Sequence, residues 1–209
     1  ALSTLLLSPD GTLADEPTRL LRDDLRDLTL SRSLMATIGY GAHKISDIAS
    51  RLKKDATELS SPLKRLIDMG YVERETPFGE NPKDSKRSLY NLRDQCMITH
   101  YHFYAPNASL IAMGRTEAVR QIVEKSMNDF VGKSWEKICH YAISGHVIDG
   151  VVYDVVSRWW GSVLDKETNK PVQMEIDVVA LSLDRKHLLI GECKWKSADY
   201  ASRLFANLN

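Results

Sequence analysis

No stretch of this 209-residue chain approaches the roughly 20 consecutive apolar residues that a membrane helix needs, and the opening ALSTLLLSPDG lacks the basic segment of a secretory leader. No membrane partner is expected. Cysteine is scarce: Cys96, Cys139 and Cys193 lie far apart and are odd in number, which argues against a disulfide scaffold and fits a reducing cytoplasm. A basic surplus is missing too. Lys and Arg total 28, Asp and Glu total 28, and the balance holds along the chain, with 15 of each up to Ala105 and 13 of each after it. A DNA-binding domain usually carries a basic excess, so any nucleic-acid contact must come from a local patch. Internal repeats and low-complexity segments are absent, and the first residue is not Met, as expected of a trimmed or processed piece of a longer protein. With 43% hydrophobic and 27% charged residues, the chain has the make-up of one large or two small globular domains with a normal core.

Beyond Leu5-Leu6-Leu7 and the turn Pro9-Asp10-Gly11, the first 15 residues carry little pattern. Leu20, Leu21, Leu25 and Leu28 then form a stripe that predicts an amphipathic helix starting at Pro17, and a second helix is expected over Leu30 to Gly39. Ile45, Ile48, Ala49 and Leu52 repeat at the spacing of one helix face, with Ser46 as candidate N-cap. Leu59, Leu63, Leu66 and Ile67 mark the next helix, closed by Gly70 in the left-handed conformation. Its start is open: Asp55 with Glu58 makes a capping box but leaves Pro62 inside the helix, whereas Ser61 as N-cap puts Pro62 in the first turn. Tyr71 to Arg74 and Ser88 to Leu92 read as strands flanking a turn-rich Pro77 to Lys86. Three helices followed by a β-hairpin predict a winged helix-turn-helix. Lys64 and Arg65 on its recognition helix and Lys83, Lys86 and Arg87 on its wing are the candidate DNA contacts, opposed by Glu58 and Asp68.

The aromatic segment His100 to Asn107 bridges to the second half. Thr116 to Phe130 is helical by pattern, with Gly132 expected to break it. Trp135, Ile138, Cys139 and Ala142 then mark a further helix that sets Glu136 one step off its buried face. Val151 to Trp160 predicts a strand ended by Gly161, Asp165 to Pro171 a turn, and Val172 to Leu181 and His187 to Trp195 a hairpin, with another helix from Ser197.

That hairpin carries charge inside apolar runs. Asp177 stands among Ile176, Val178, Val179 and Ala180, while Glu192 and Lys194 share one strand face and Cys193 points into the sheet. Phosphodiester hydrolysis needs an activated water and a counter-charge, and Mg²⁺ (or Mn²⁺) held by oxygen ligands with open positions supplies both. Asp177 and Glu192 are the candidate ligands, with the Cys193 carbonyl as an extra one. Lys194 is suited to orient the water and stabilise developing charge, Glu136 completes the acidic cluster, and Glu175, on the same side as Asp177, is an accessory acid.

The order Glu136, Asp177, Glu192-x-Lys194, with the glutamate 15 positions after the aspartate, resembles the PD-(D/E)xK nuclease superfamily and its restriction-endonuclease-like fold. The wider pattern, a winged helix, the aromatic-Pro106-Asn107 linker, Gly132-Lys-Ser-Trp-Glu136, Glu175-Ile-Asp-Val-Val179 and Gly191-Glu-Cys-Lys-Trp195, is similar over about residues 30 to 205 to the C-terminal region of archaeal-type AAA/STAND ATPases. The resemblance implies an α+β protein: a helical tail of an absent ATPase domain over residues 1–29, a winged helix over 30–108, and a nuclease-like domain with a mixed sheet over 109–209, short of its last strand. It implies a cytoplasmic DNA (less readily RNA) nuclease coupled to an upstream ATPase domain, and is compatible with a homo-oligomer. The alternative is a catalytically inactive module that binds nucleic acid or protein.

Plainer readings stand beside these. A Glu–Lys pair on a solvent-facing hairpin contributes only a few tenths of a kcal/mol, and an isolated Glu136 is an ordinary surface carboxylate. Gly132-Lys133-Ser134 mimics the end of a phosphate-binding loop, but the motif needs Gly at position 127, which is Met, so no nucleotide site is expected. Cys96, His100 and His102 lack a fourth zinc ligand. Trp159-Trp160 suits core and sheet-edge packing better than base stacking.

Overall fold

The computed structural model describes residues 28–83 and 85–196, with Gly11, Ala14, Glu16, Pro17, Arg19 and Leu20. The protein is mixed α+β and divides into two units, residues 1–76 with 81–125 and residues 77–80 with 126–209. Of the helix expected from Pro17, the described Glu16, Pro17, Arg19 and Leu20 are helical. Leu5-Leu6-Leu7 and the helix expected from Ser197 lie outside the described residues.

In the first unit, α1 (Leu28–Gly39), α2 (Ile45–Leu52) and α3 (Ala56–Asp68) turn their apolar stripes inward. Leu34, Met35 and Ile38 meet Ile48 and Ala49 of α2 and Leu59, Leu63 and Leu66 of α3 in one buried core. The spacing of these side chains by three and four is what lets each helix bury one face, at roughly 1.5–3 kcal/mol for each large apolar group. The start of α3 falls to Asp55: its N–H donates to the Glu58 carboxylate at 3.3 Å, completing a capping box, and Pro62 is inside the helix. The N-cap of α2 is Lys44, not Ser46. Ser46 is already in the first turn, where its hydroxyl donates to Asp47 at 3.2 Å. Gly70, with φ +80, closes α3 as expected, and Tyr71 N–H donates back to Leu66 O at 2.9 Å.

The strands β1 (Val72–Glu75) and β2 (Leu89–Leu92) form an antiparallel hairpin, Val72 opposite Leu92. On its other edge Tyr90 N–H donates to His43 O at 2.8 Å. The aromatic segment after β2, expected as a linker, is helical. Asp94 caps α4 (Gln95–Thr99) by accepting from Met97 N–H at 2.9 Å, a π-helical turn covers His100–Tyr104, and α5 (Ala105–Ala112) follows. Tyr101 and Phe103 are buried, which holds the segment down. Pro106 has no N–H to give, but the neighbouring Asn107 side chain donates to Phe103 O at 2.9 Å.

A single helix, α6 (Thr116–Ile143), runs for 28 residues through Gly132, which does not break it. Glycine inside a helix costs only about 1 kcal/mol relative to alanine, a small penalty spread over a 28-residue helix whose other turns propagate it. The second unit continues with a tight hairpin, β3 (Val147–Ile148) and β4 (Val151–Val152), turning on Asp149 and Gly150 at φ 49 and 79. A three-stranded antiparallel sheet follows in the order β5 (Ser157–Leu164), β6 (Pro171–Leu181), β7 (Leu188–Gly191). The strand expected from Val151 to Trp160 is therefore two, and Gly161 lies inside β5, opposite Met174, rather than at a strand end. The turn between β5 and β6 is held by the Asp165 carboxylate, which accepts from Thr168 N–H at 2.7 Å and Glu167 N–H at 3.1 Å.

Val178 and Ala180 point to one face of β6 and pack with Tyr153 and Val156, joined at the margin by Ile143, Leu189 and Cys193. The apolar runs of the hairpin, taken alone, imply a sheet covered on both faces. On β7, however, Leu188 is 53% and Ile190 58% exposed, because both point away from that core.

Candidate functional site

β7 stops at Gly191, one to three residues before Glu192, Cys193 and Lys194, so these residues follow the strand rather than sitting within it as expected. The register sets Val178 opposite Gly191, so Asp177 and Glu192 stand just beyond the last pair of the ladder. A hydrogen bond continues the contact past the ladder: Cys193 N–H donates to Asp177 Oδ2 at 2.9 Å. The end of β6 and the segment after β7 are thereby tied side chain to backbone. Cys193 packs against the core, in line with its expected inward orientation. Glu192 and Lys194 form an ion pair with side chains 69% and 44% exposed, so the two do share a side.

Helix α6 supplies the opposite wall. Trp135, Glu136, Cys139, His140 and Ile143 are half-buried, whereas Lys137, Ile138, Tyr141 and Ala142 are exposed. The expected face, with Ile138 and Ala142 inward and Glu136 beside it, is thus rotated: Glu136 lies on the face turned to the sheet. His140 Nε2 is 2.6 Å from the Asp177 carbonyl oxygen, which holds the backbone of Asp177 just as Cys193 holds its carboxylate. The Trp135 and Trp195 rings stand 5.6 Å apart. Burial pushes the Cys193 thiol up to about 12, reinforced by Cys139 and by the negative charges of Asp177 and Glu136 close by.

The structure thus gathers Glu136, Asp177 and Cys193 around the junction of α6, β6 and the post-β7 segment, with Glu192 and Lys194 on that segment. Glu175 is two residues up β6, where its carboxylate is ion-paired with Arg158 of β5, and the Arg158 guanidinium lies 5.7 Å from the centre of the Trp160 ring. Among the described residues, no three His, Cys, Asp or Glu side chains stand close enough together to hold a metal ion. Sequence reasoning did not assign His140, Cys139 or Arg158 to the site. The signal for the first two was the spacing 132, 135, 136, 139, 140, 143, the i, i+3, i+4 recurrence of a helix face that includes Glu136. Arg158 carried no such signal, since its partner depends on strand register. In the first unit Lys64, Arg65, Lys83, Lys86 and Arg87 are all exposed, and Lys64 is paired with Asp68 at 2.8 Å.

Residues 100–204, about half of the chain, match the DUF234 family, described as archaeal and bacterial proteins of unknown function. The chain belongs to this family. The part that matches DUF234 contains Glu136, Asp177, Glu192, Lys194 and their partners on α6. A curated relative, the uncharacterized protein MJECL04 of Methanocaldococcus jannaschii, is 26% identical over 190 residues, covering 90% of this chain and 40% of the relative. The chain therefore spans about two-fifths of the length of that relative. No solved structure matches it. Among the described residues no helix is long and apolar enough to cross a membrane.

Proposed function

We propose that the second unit of this DUF234 chain is a phosphodiesterase of PD-(D/E)xK type with a restriction-endonuclease-like fold, and that the first unit is a winged helix that brings it to DNA. The observation that carries the reading is the pairing of Asp177 with the Glu192-x-Lys194 segment through the Cys193 N–H at 2.9 Å, with Glu136 on the helix face beside it. Asp177 and Glu192 are hard oxygen donors, which fits Mg²⁺: it takes one or two carboxylates and fills its other positions with water and phosphate oxygens. When bound there, the ion supplies a nucleophilic water and counter-charge for the phosphoryl oxygens.

The chain's own residues do the rest. Cys193 N–H and His140 fix the carboxylate and backbone of Asp177, so that its free oxygen keeps one direction. Lys194, a compact cation now paired with Glu192, exchanges that partner for the attacking water or a phosphate oxygen. Glu136 adds negative charge behind Asp177. Lys83, Lys86 and Arg87 on the hairpin loop and Lys64 and Arg65 on α3 supply phosphate contacts. The greater length of the M. jannaschii relative agrees with an upstream ATPase domain in the parent protein.

The test is cleavage of supercoiled plasmid in Mg²⁺ or Mn²⁺. Wild type should nick or linearise it, EDTA should abolish the reaction, and Lys194→Ala should slow it on the order of 10²–10³-fold. Equal activity from wild type and Lys194→Ala, or none from wild type on any nucleic acid offered, removes the reading. A second reading, a binding module without catalysis, is favoured by the closed Glu192–Lys194 ion pair. It requires nucleic acid to bind equally well with and without divalent metal.

A further inference from the structure

We propose that β7 is an association edge, at which a second copy of this chain adds its own β7 antiparallel to the first and joins the two sheets into one. This inference does not depend on the nuclease reading.

β7 ends the order β5-β6-β7, and among the described residues no strand pairs with its outer side. The phase of the ladder decides what that side offers. Ser182 N–H donates to His187 O at 2.9 Å, and the register runs on through Ala180 opposite Leu189 to Val178 opposite Gly191. Bonded and non-bonded pairs alternate in an antiparallel ladder, so Leu189 directs its main-chain groups to β6 while Leu188 and Ile190 turn theirs outward. The side chains of Leu188 and Ile190 are exposed, on the sheet face away from the core. Open edges are commonly guarded by lysine, proline or a bulge. Leu188-Leu189-Ile190 carries none of these.

Charge selects both the occupant and the register. Two positions out from Leu188 and Ile190 stand Lys186 and Glu192, both exposed, a cation at one end and an anion at the other. Such a strand is its own complement when reversed. With a two-fold axis at Leu189, each Leu188 meets the second copy's Ile190 in a hydrogen-bonded pair, and each Lys186 meets the second copy's Glu192. Leu189, already bonded to β6, falls at the non-bonded pair on the axis. Moving the axis to Leu188 sets Glu192 against the second copy's Asp184. Moving it to Ile190 sets Lys186 against the second copy's Lys194, so both alternatives oppose like charges. The favoured register brings a cation of one copy beside Glu192 of the other, at the margin of the candidate site.

Sedimentation velocity of the full chain over a concentration series is the test. The expected result is a reversible equilibrium between one copy and two. Ile190→Lys, at an exposed position, should keep the fold by circular dichroism and weaken the dimer by about tenfold, since the axis presents the change twice. Lys186→Glu and Glu192→Lys should each weaken it several-fold. The double variant, which restores opposite charges at both ends, should regain it, as a change that merely damages the fold would not. A single copy at every concentration would give this edge to some other strand and overturn the proposal. Association beyond two copies, a dimer indifferent to Ile190→Lys, or a double variant as weak as the single ones would overturn it too.

Discussion

Two glycines in helices show how one missing methyl group can have opposite meanings. At Gly39, the last residue of α1, a Cβ would fall 2.5 Å from Tyr101 Cβ, a distance no real pair of such atoms tolerates. At Gly132, inside α6, the nearest atom to a Cβ is Trp195 Cβ at 3.8 Å, an ordinary contact. Alanine gains up to about 1 kcal/mol over glycine within a helix. At Gly39 the clash outweighs that gain, and Gly39→Ala should destabilise the first unit by about 1–3 kcal/mol in chemical denaturation. Gly132→Ala should stabilise by about 0.5–1 kcal/mol. If it destabilises, α6 does not pass through residue 132 as an unbroken helix. Tyr101 itself carries a second expectation. Burial raises its phenol to about 12, above the usual value near 10 for an exposed tyrosine. The folded state then holds a proton that the unfolded state releases, so this contribution is intact below about pH 10 and is lost as pH rises toward 12. An ultraviolet titration should show a tyrosine phase near pH 12, and Tyr101→Phe should remove it.

At the scale of elements, caps and register decide what sequence pattern leaves open. The capping box at the start of α3 predicts that Asp55→Ala costs about 1 kcal/mol of stability. Ser61→Ala should change it by only a few tenths, and the reverse order would return the N-cap to Ser61. The Glu58 carboxyl is held below its ordinary range, chiefly by the Asp55 N–H and then by Lys54. A carboxyl lowered in the folded state contributes above its unfolded value, so this support is lost as pH falls below about 4.5. Helix spacing made the three helices of the first unit legible, since Leu59, Leu63 and Leu66 name their buried face directly. The same reasoning read Gly132 as a breaker and the segment 100–107 as a linker. For the segment 100–107 the burial of Tyr101 and Phe103 outweighs local propensity, and at Gly132 the small cost of one glycine does not stop a long helix. Strand limits were less legible still. Nothing local tells Gly161, inside β5, from Gly191, at the end of β7.

For the molecule as a whole, the charged groups of the candidate site were legible because three charges interrupted two apolar runs in the order Asp177, Glu192, Lys194. Their supports were not, because His140 bonds a carbonyl 37 residues away and Arg158 a carboxylate 17 residues away, distances that only the folded chain closes. His140→Ala should leave the site's carboxylates in place but loosen Asp177. The expected outcome is a loss of metal affinity of about tenfold, the lower end of the 10–100-fold range seen when an outer-sphere partner is removed. The claim on which the whole account rests is that Asp177 and its neighbours bind one divalent cation. Calorimetric titration of the wild-type chain and of Asp177→Asn with Mn²⁺ measures it directly. The account expects a one-site heat in wild type that disappears in Asp177→Asn while the fold is retained. No heat in wild type, or the same heat in both proteins, would contradict it.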